Sequence, residues 1–144
     1  MEQNLSSIYD VAIVGCGPSG ATLAGLLGQA GLRVLICDRD LEIYPKPRAV
    51  AMDHEIMRTF QELELENEIQ PFTEPFTDSE FYGVDGQLIK CMTSIKPPFP
   101  MTFTPSMVFN QPSLERILRN KIKKMPTVEL LLGYEMIDFL QNDQ

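Results

Sequence analysis

The sequence predicts an α/β fold built on a parallel strand–helix–strand unit, and three observations carry the prediction. A short apolar run, Tyr9-Asp10-Val11-Ala12-Ile13-Val14, leads into the glycine-rich turn Gly15-Cys16-Gly17-Pro18-Ser19-Gly20. An Ala/Leu-rich stretch of helical character follows that turn. A second apolar run, Arg33-Val34-Leu35-Ile36-Cys37, then ends in an acid, Asp38. Strand, tight turn into a helix, and second strand are the start of a parallel sheet covered by helices.

The elements follow in order. Residues 8–14 read as the first strand, and 19–30 as the first helix, with Gly31 at the position where a helix end turns left-handed. Residues 32–37 read as the second strand. Pro45 and Pro47 punctuate a loop over 40–50. Residues 53–69 read as a helix, capped by Asp53, with Ile56, Phe60 and Leu63 on one face. Residues 70–78, with Pro71 and Pro75, are expected to be irregular. Residues 79–92 read as a β-hairpin in which Asp85-Gly86 is a two-residue turn. Phe81 and Tyr82 alternate along it, so one of them should face a core, and either could wall a substrate. Four prolines keep 95–105 from being helical. Met107-Val108-Phe109 leads as a short strand into a helix over 111–124, with Leu114, Ile117, Leu118 and Ile122 on one face. Val128–Leu132 reads as a strand, and Tyr134–Leu140 alternates toward another.

The glycine turn carries the chemistry. Gly15 allows the sharp strand-to-helix turn, Gly17 lets a pyrophosphate approach the backbone, and Gly20 lets the helix pack closely. Free N–H groups and the dipole at the helix start favour phosphate charge. Asp38 stands 23 residues after Gly15, the spacing at which a carboxylate accepts from an adenosine ribose. The turn is therefore read as a dinucleotide cradle rather than a plain connection. A carboxylate there repels a 2′-phosphate, which leaves FAD or NAD and disfavours NADP at this site. The β-rich excursion that interrupts the parallel sheet favours the FAD-type variant over regular NAD-type alternation.

Composition sets the other bounds. The 144 residues suffice for one modest domain. A formal charge of −8 argues against nucleic acid or an anionic membrane as main partner. Arg119, Lys121, Lys123 and Lys124 read as a solvated helix end, and Glu115 and Arg116 as surface residues of the same helix. No apolar stretch is long enough to span a membrane, and Met1–Leu5 lacks a basic leader. Cys16, Cys37 and Cys91 have no metal or redox spacing and suggest reduced, cytoplasmic thiols. His54, the one histidine, reads as a surface residue near a helix start. No metal site and no catalytic acid or base can be named.

Three segments together carry a family resemblance: Asp10–Gly20; Tyr44-Pro-Lys-Pro-Arg-Ala-Val50 with Met52–Arg58; and Phe109-Asn-Gln-Pro-Ser-Leu-Glu-Arg-Ile-Leu118. Together they resemble the FAD-dependent aromatic-ring hydroxylases, the single-component (group A) flavoprotein monooxygenases, over nearly the whole chain. The resemblance implies a Rossmann-like FAD-binding fold in which Gly15, Gly17, Pro18, Ser19 and Gly20 cradle the FAD diphosphate. It places Asp38 on the adenosine ribose, where relatives usually carry the longer Glu, and Arg39 on the adenine side. It adds Arg48 from the loop, Gln111 through its side chain, and Met136 through a strand backbone that meets adenine. It implies NADH or NADPH as transient electron donor, O₂, and a small phenolic substrate such as a hydroxyphenylpropanoate. Residues 1–144 are then expected to be the N-terminal part of an FAD-binding domain, truncated, with a hairpin insertion at about 79–92. The family's later Asp-Gly and Gly-Asp segments would lie beyond Gln144, so the chain alone is expected to bind FAD weakly or not at all. Two alternatives stay open: an FAD-dependent halogenase, epoxidase or reductase, and a non-catalytic remnant.

Overall fold

The computed structural model describes residues 8–141. Met1–Leu5, read as lacking a basic leader, lies outside the described residues, as do residues 142–144. In chain order the elements are β1 (Val11–Val14), α1 (Pro18–Gln29), β2 (Val34–Asp38), β3 (Ala51–Asp53), α2 (His54–Glu62) and α3 (Glu66–Ile69). A single 3₁₀ turn (Gln70–Phe72) leads to β4 (Thr73–Pro75), β5 (Ser79–Tyr82), β6 (Leu88–Met92), β7 (Ser106–Phe109), α4 (Gln111–Lys123) and β8 (Val128–Leu132). The chain forms two compact units, one of Met1–Lys46 with Pro112–Gln144 and one of Pro47–Gln111.

The first unit holds the predicted parallel sheet, in the order β1-β2-β8. Ile13 lies opposite Ile36, and Ile36 opposite Leu130. The central strand buries one face: Val34 and Ile36 are fully buried, while Leu35 and Cys37, which alternate onto the other face, are half-buried. Helix α1 buries Ala21, Ala24, Gly25 and Gly28. It ends as the sequence suggests: Gly31 takes φ +87, its N–H donates to Gly28 C=O, and the Leu32 N–H donates to Leu27 C=O. This paired closure satisfies carbonyls the helix end leaves open. Leu114, Leu118 and Ile122 of α4 are buried. Glu115 and Arg119 are buried beside them, at 4% and 9% exposure, which corrects their reading as surface residues. Tyr134–Leu140 forms no strand.

The second unit is built on an antiparallel sheet in the order β3-β7-β4, with Met52 opposite Met107 and both buried. Asp53 caps α2 as predicted, its Oδ1 accepting from the Ile56 N–H at 3.0 Å. The single helix expected over 53–69 is broken, however. Glu64 takes φ +58, and the Leu65 N–H donates back to Phe60 C=O. Breaking there turns Leu63, Leu65 and Ile69 inward with Met57 and Phe60, while Ile56 stays exposed. No glycine marks the break, so it was invisible to pattern reading. Part of the stretch expected to be irregular forms β4, an edge strand whose Pro75 can forgo an N–H. The hairpin forms, but its connection is longer than two residues. Gly83 N–H donates to Gln87 C=O, Gly86 N–H to Gly83 C=O, and the register shifts at Phe81/Tyr82. Phe81 and Tyr82 are both exposed, so neither faces a core.

Candidate functional site

The turn between β1 and α1 is held on every side. Gly15 has φ +101, a region other residues rarely enter, and its N–H donates to Cys37 C=O at 2.7 Å. The Cys16 N–H donates to Asp38 Oδ2 at 2.7 Å. The Cys16 carbonyl accepts from Arg119 Nε at 3.3 Å. Pro18 opens α1 at a position where no N–H is missed. The Ala21 N–H donates to Gly17 C=O at 2.9 Å, so the N–H groups of Ser19 and Gly20 precede the first intrahelical bond. No acid lies in the first turn. A Cβ at Gly17 would meet nothing within 4 Å, whereas one at Gly20 would lie 2.0 Å from the Gly15 carbonyl oxygen. Gly20 is thus required for the helix to begin so near the turn. Gly17 faces open space that a phosphate group can fill.

Beside the turn lies a cavity of about 280 Å³, walled by Gly15, Asp38, Arg39, Tyr134 and Met136 among others. It is close to the small end of ligand pockets, about 300–1,000 Å³, and suits a nucleoside end rather than a whole dinucleotide. Asp38 Oδ1 accepts from the Asp40 N–H at 2.9 Å. A carboxylate offers about four acceptor positions, so capacity for a ribose hydroxyl remains. The Tyr134 N–H donates to Asp38 C=O at 3.0 Å, which brings the chain after β8 to the cavity wall. Met136 therefore reaches the cavity from an irregular segment and not from the strand the sequence suggested.

Beneath the turn, Arg119 Nη2 stands 3.9 Å from Asp38 Oδ2. Burial pushes the Cys16 thiol up to about 11; the nearby Arg119 charge opposes the rise, and those of Asp38 and Glu115 add to it. Cys16 is thus a neutral packing group. Arg119 is the residue that sequence reading missed. Its signal was present: Glu115 and Arg119 are opposite charges at i, i+4, each adjacent to an apolar position of the buried stripe. Counting Arg119 with the terminal lysines hid that pattern.

Arg48 and Gln111 lie in the second unit. Gln111 is buried at the start of α4, and its Oε1 accepts from the N–H groups of both Arg48 and Ala49 at 2.7 Å. The structure therefore brings these two predicted residues together, with the glutamine oxygen turned to the loop. This unit also has a cavity of about 440 Å³, with Phe76, Phe81, Met92 and Ile95 in its wall. His54 begins α2, half-buried, and its Nδ1 has no hydrogen-bond partner among the described residues. No cluster able to hold a metal ion occurs among the described residues.

Comparison with known proteins bears on this geometry. A family model described as an FAD binding domain matches residues 8–144. The chain is 36% identical over 135 residues to a 3-(3-hydroxy-phenyl)propionate/3-hydroxycinnamic acid hydroxylase of Comamonas testosteroni, covering 93% of this chain and 22% of that protein. It is 35% identical over 134 residues to a probable NADH-specific resorcinol 4-hydroxylase of Rhodococcus jostii (strain RHA1), covering 93% of this chain and 25% of that protein. The crystal structure of a probable FAD-dependent monooxygenase from Pseudomonas aeruginosa matches with a TM-score of 0.76 at 25% identity, over 94% of this chain and 35% of that one. The chain spans 22% and 25% of the lengths of the two curated relatives named.

Proposed function

The chain belongs to the FAD binding domain family, and on that premise we propose that it anchors the ADP half of FAD in a NADH- or NADPH-dependent monooxygenase. The substrate of that reaction is a small phenolic compound such as a hydroxyphenylpropanoate, with O₂ as co-substrate. One observation carries the reading: an open glycine cradle at a helix start, joined through the Cys16 N–H to the carboxylate that walls the adjoining cavity.

In this reading Gly15, Gly17, Pro18, Ser19 and Gly20 receive the diphosphate, whose charge meets free N–H groups and no nearby acid in the helix. Asp38 accepts from the ribose hydroxyls, and Arg39 and the backbone at Met136 border the adenine. Arg48 and Gln111 are also read as cofactor contacts, Arg48 through a guanidinium fork suited to phosphate and ribose oxygens. FAD, when bound, supplies the electron transfer and oxygen activation that side chains cannot. The chain's own share is binding and orientation. Among the described residues no helix is long and apolar enough to cross a membrane, and the unpaired thiols fit a reducing, cytoplasmic setting. The phenolic substrate is supported by the names of the hydroxylases it is similar to.

Two measurements test this. Titration with 5′-ADP, followed by amide NMR, should move Gly17, Ser19 and Gly20 at millimolar ligand; unmoved turn amides would refute the cradle. The chain substituted for the matching segment of the Comamonas hydroxylase should then support NADH or NADPH oxidation coupled to phenol hydroxylation. Oxidation without hydroxylated product would shift the reading to another FAD-dependent reaction.

A further inference from the structure

We propose that Arg119 is a positioning residue for the ADP half of the dinucleotide, acting through the Cys16 peptides and Asp38 rather than by touching ligand. The inference rests on the reading of the turn as the cradle. Three contacts close a ring. Asp38 Oδ2 accepts the Cys16 N–H, Arg119 Nε donates to the Cys16 carbonyl, and Arg119 Nη2 lies 3.9 Å from the same Asp38 Oδ2. Cys16 is thereby held at its N–H by one side chain and at its C=O by the other, with its own side chain fully buried.

The geometry explains why an arginine stands here. The Cys16 carbonyl belongs to the peptide whose nitrogen is that of Gly17. Fixing this carbonyl inward therefore fixes the opposed Gly17 N–H on the outer side of the same planar peptide. A Cβ built at Gly17 meets nothing within 4 Å, so the turn leaves room for a ligand group at this residue. A second donor of the same guanidinium lies toward Asp38, with Nη2 3.9 Å from Oδ2. A planar fork serves both acceptors at once, which an ammonium cannot do in one rigid geometry. The alternative is that Arg119 merely stabilises the fold as a buried ion pair.

The test separates these roles in the full 144-residue chain, with Arg119→Met, Arg119→Lys and Lys123→Ala. Lys123 is exposed on the same helix and serves as control. Amide hydrogen exchange is measured without ligand, and affinity with 5′-ADP. Arg119→Lys is expected to keep protection in β2 and β8, to lose it at the Cys16 amide, and to weaken 5′-ADP about 10- to 100-fold. Arg119→Met should do the same more strongly; if it unfolds, the decision falls to Arg119→Lys. Lys123→Ala should change neither quantity. Unchanged Cys16 protection and 5′-ADP affinity in Arg119→Lys would overturn the proposal, as would a uniform loss of protection with affinity retained. If the unmodified chain fails to bind 5′-ADP, the cradle reading falls. The ring around Cys16 is still decided by the exchange data.

Discussion

The backbone N–H of Cys16 donates to Oδ2 of Asp38 at 2.7 Å, across 22 positions of sequence. The glycine turn and the acid ending β2 are therefore one assembly, and a change in either is felt by both. Asp also fits this bond: its short side chain reaches back from the strand end to the turn, while Oδ1 turns to the Asp40 N–H.

Asp38→Asn tests the charge in that assembly. The amide oxygen can keep the Cys16 bond while its NH2 faces the Asp40 N–H, an exposed group that water can satisfy, so the fold should survive. Loss of a charge-assisted bond to ribose should weaken 5′-ADP by about 10-fold. Removing the negative charge also removes its repulsion of a 2′-phosphate, so 2′,5′-ADP should gain relative to 5′-ADP. Calorimetric titration of both nucleotides checks this; an unchanged preference between them would show that Asp38 does not set it.

The two inner glycines should separate stability from binding. An alanine Cβ at Gly20 would lie 2.0 Å from the Gly15 carbonyl oxygen, a backbone atom that cannot move aside cheaply. Gly20→Ala should therefore destabilise the chain by about 1–3 kcal/mol as overpacking. The Cβ of Gly17→Ala enters open space, so thermal stability should stay near that of the unmodified chain. That same space is where the diphosphate would lie, so Gly17→Ala should still lose nucleotide affinity. Thermal unfolding and nucleotide titration of the pair decide it, and equal stability losses in both variants would contradict the account.

The pattern that was legible in the sequence is the part governed by local rules. Gly15, Pro18, Gly31 and Asp53 each mark a turn or cap by their own chemistry, and β1, α1, β2, α4 and β8 stand close to where those signals put them. What escaped was governed by tertiary contacts. Glu64 ends α2 in a left-handed conformation without a glycine because Leu63 and Leu65 gain burial by it. Residues 73–75 pair as a strand because β7 offers an edge, despite Pro75. Arg119 points inward because Asp38 and a carbonyl await it. In each case the deciding partner is remote in sequence, so the local residue types were a poor guide.

Gln111 should act first on the loop that carries Arg48. Its Oε1 is the acceptor for two adjacent N–H groups, at 2.7 Å each. Gln111→Leu removes that acceptor from both, at a cost of about 0.5–1.5 kcal/mol for each hydrogen bond that water does not replace. Gln111→Glu keeps the oxygen and should restore most of the loss. Hydrogen exchange at the Arg48 and Ala49 amides is the direct readout: rapid exchange in the leucine variant and slow exchange in the glutamate variant are expected. Slow exchange in both would mean that other contacts hold the loop.

The Cys16 thiol gives a prediction with a definite pH window. Burial lifts its pKa from 9.0 to about 11. A raised folded value means that the folded chain prefers the protonated thiol. Its contribution to stability is therefore complete below about pH 9 and is lost as pH rises through about 11. Denaturant unfolding at stepped pH should show a decline over that interval, and Cys16→Ala should remove the part due to this group. The same property makes Cys16 a poor nucleophile near neutrality. At pH 8 a thiol reagent should label the exposed Cys91 well before Cys16, with peptide mass spectrometry assigning each site. Labelling of Cys16 as fast as Cys91 would mean that the turn opens readily, and the closed ring of Cys16, Asp38 and Arg119 would then not describe the chain in solution.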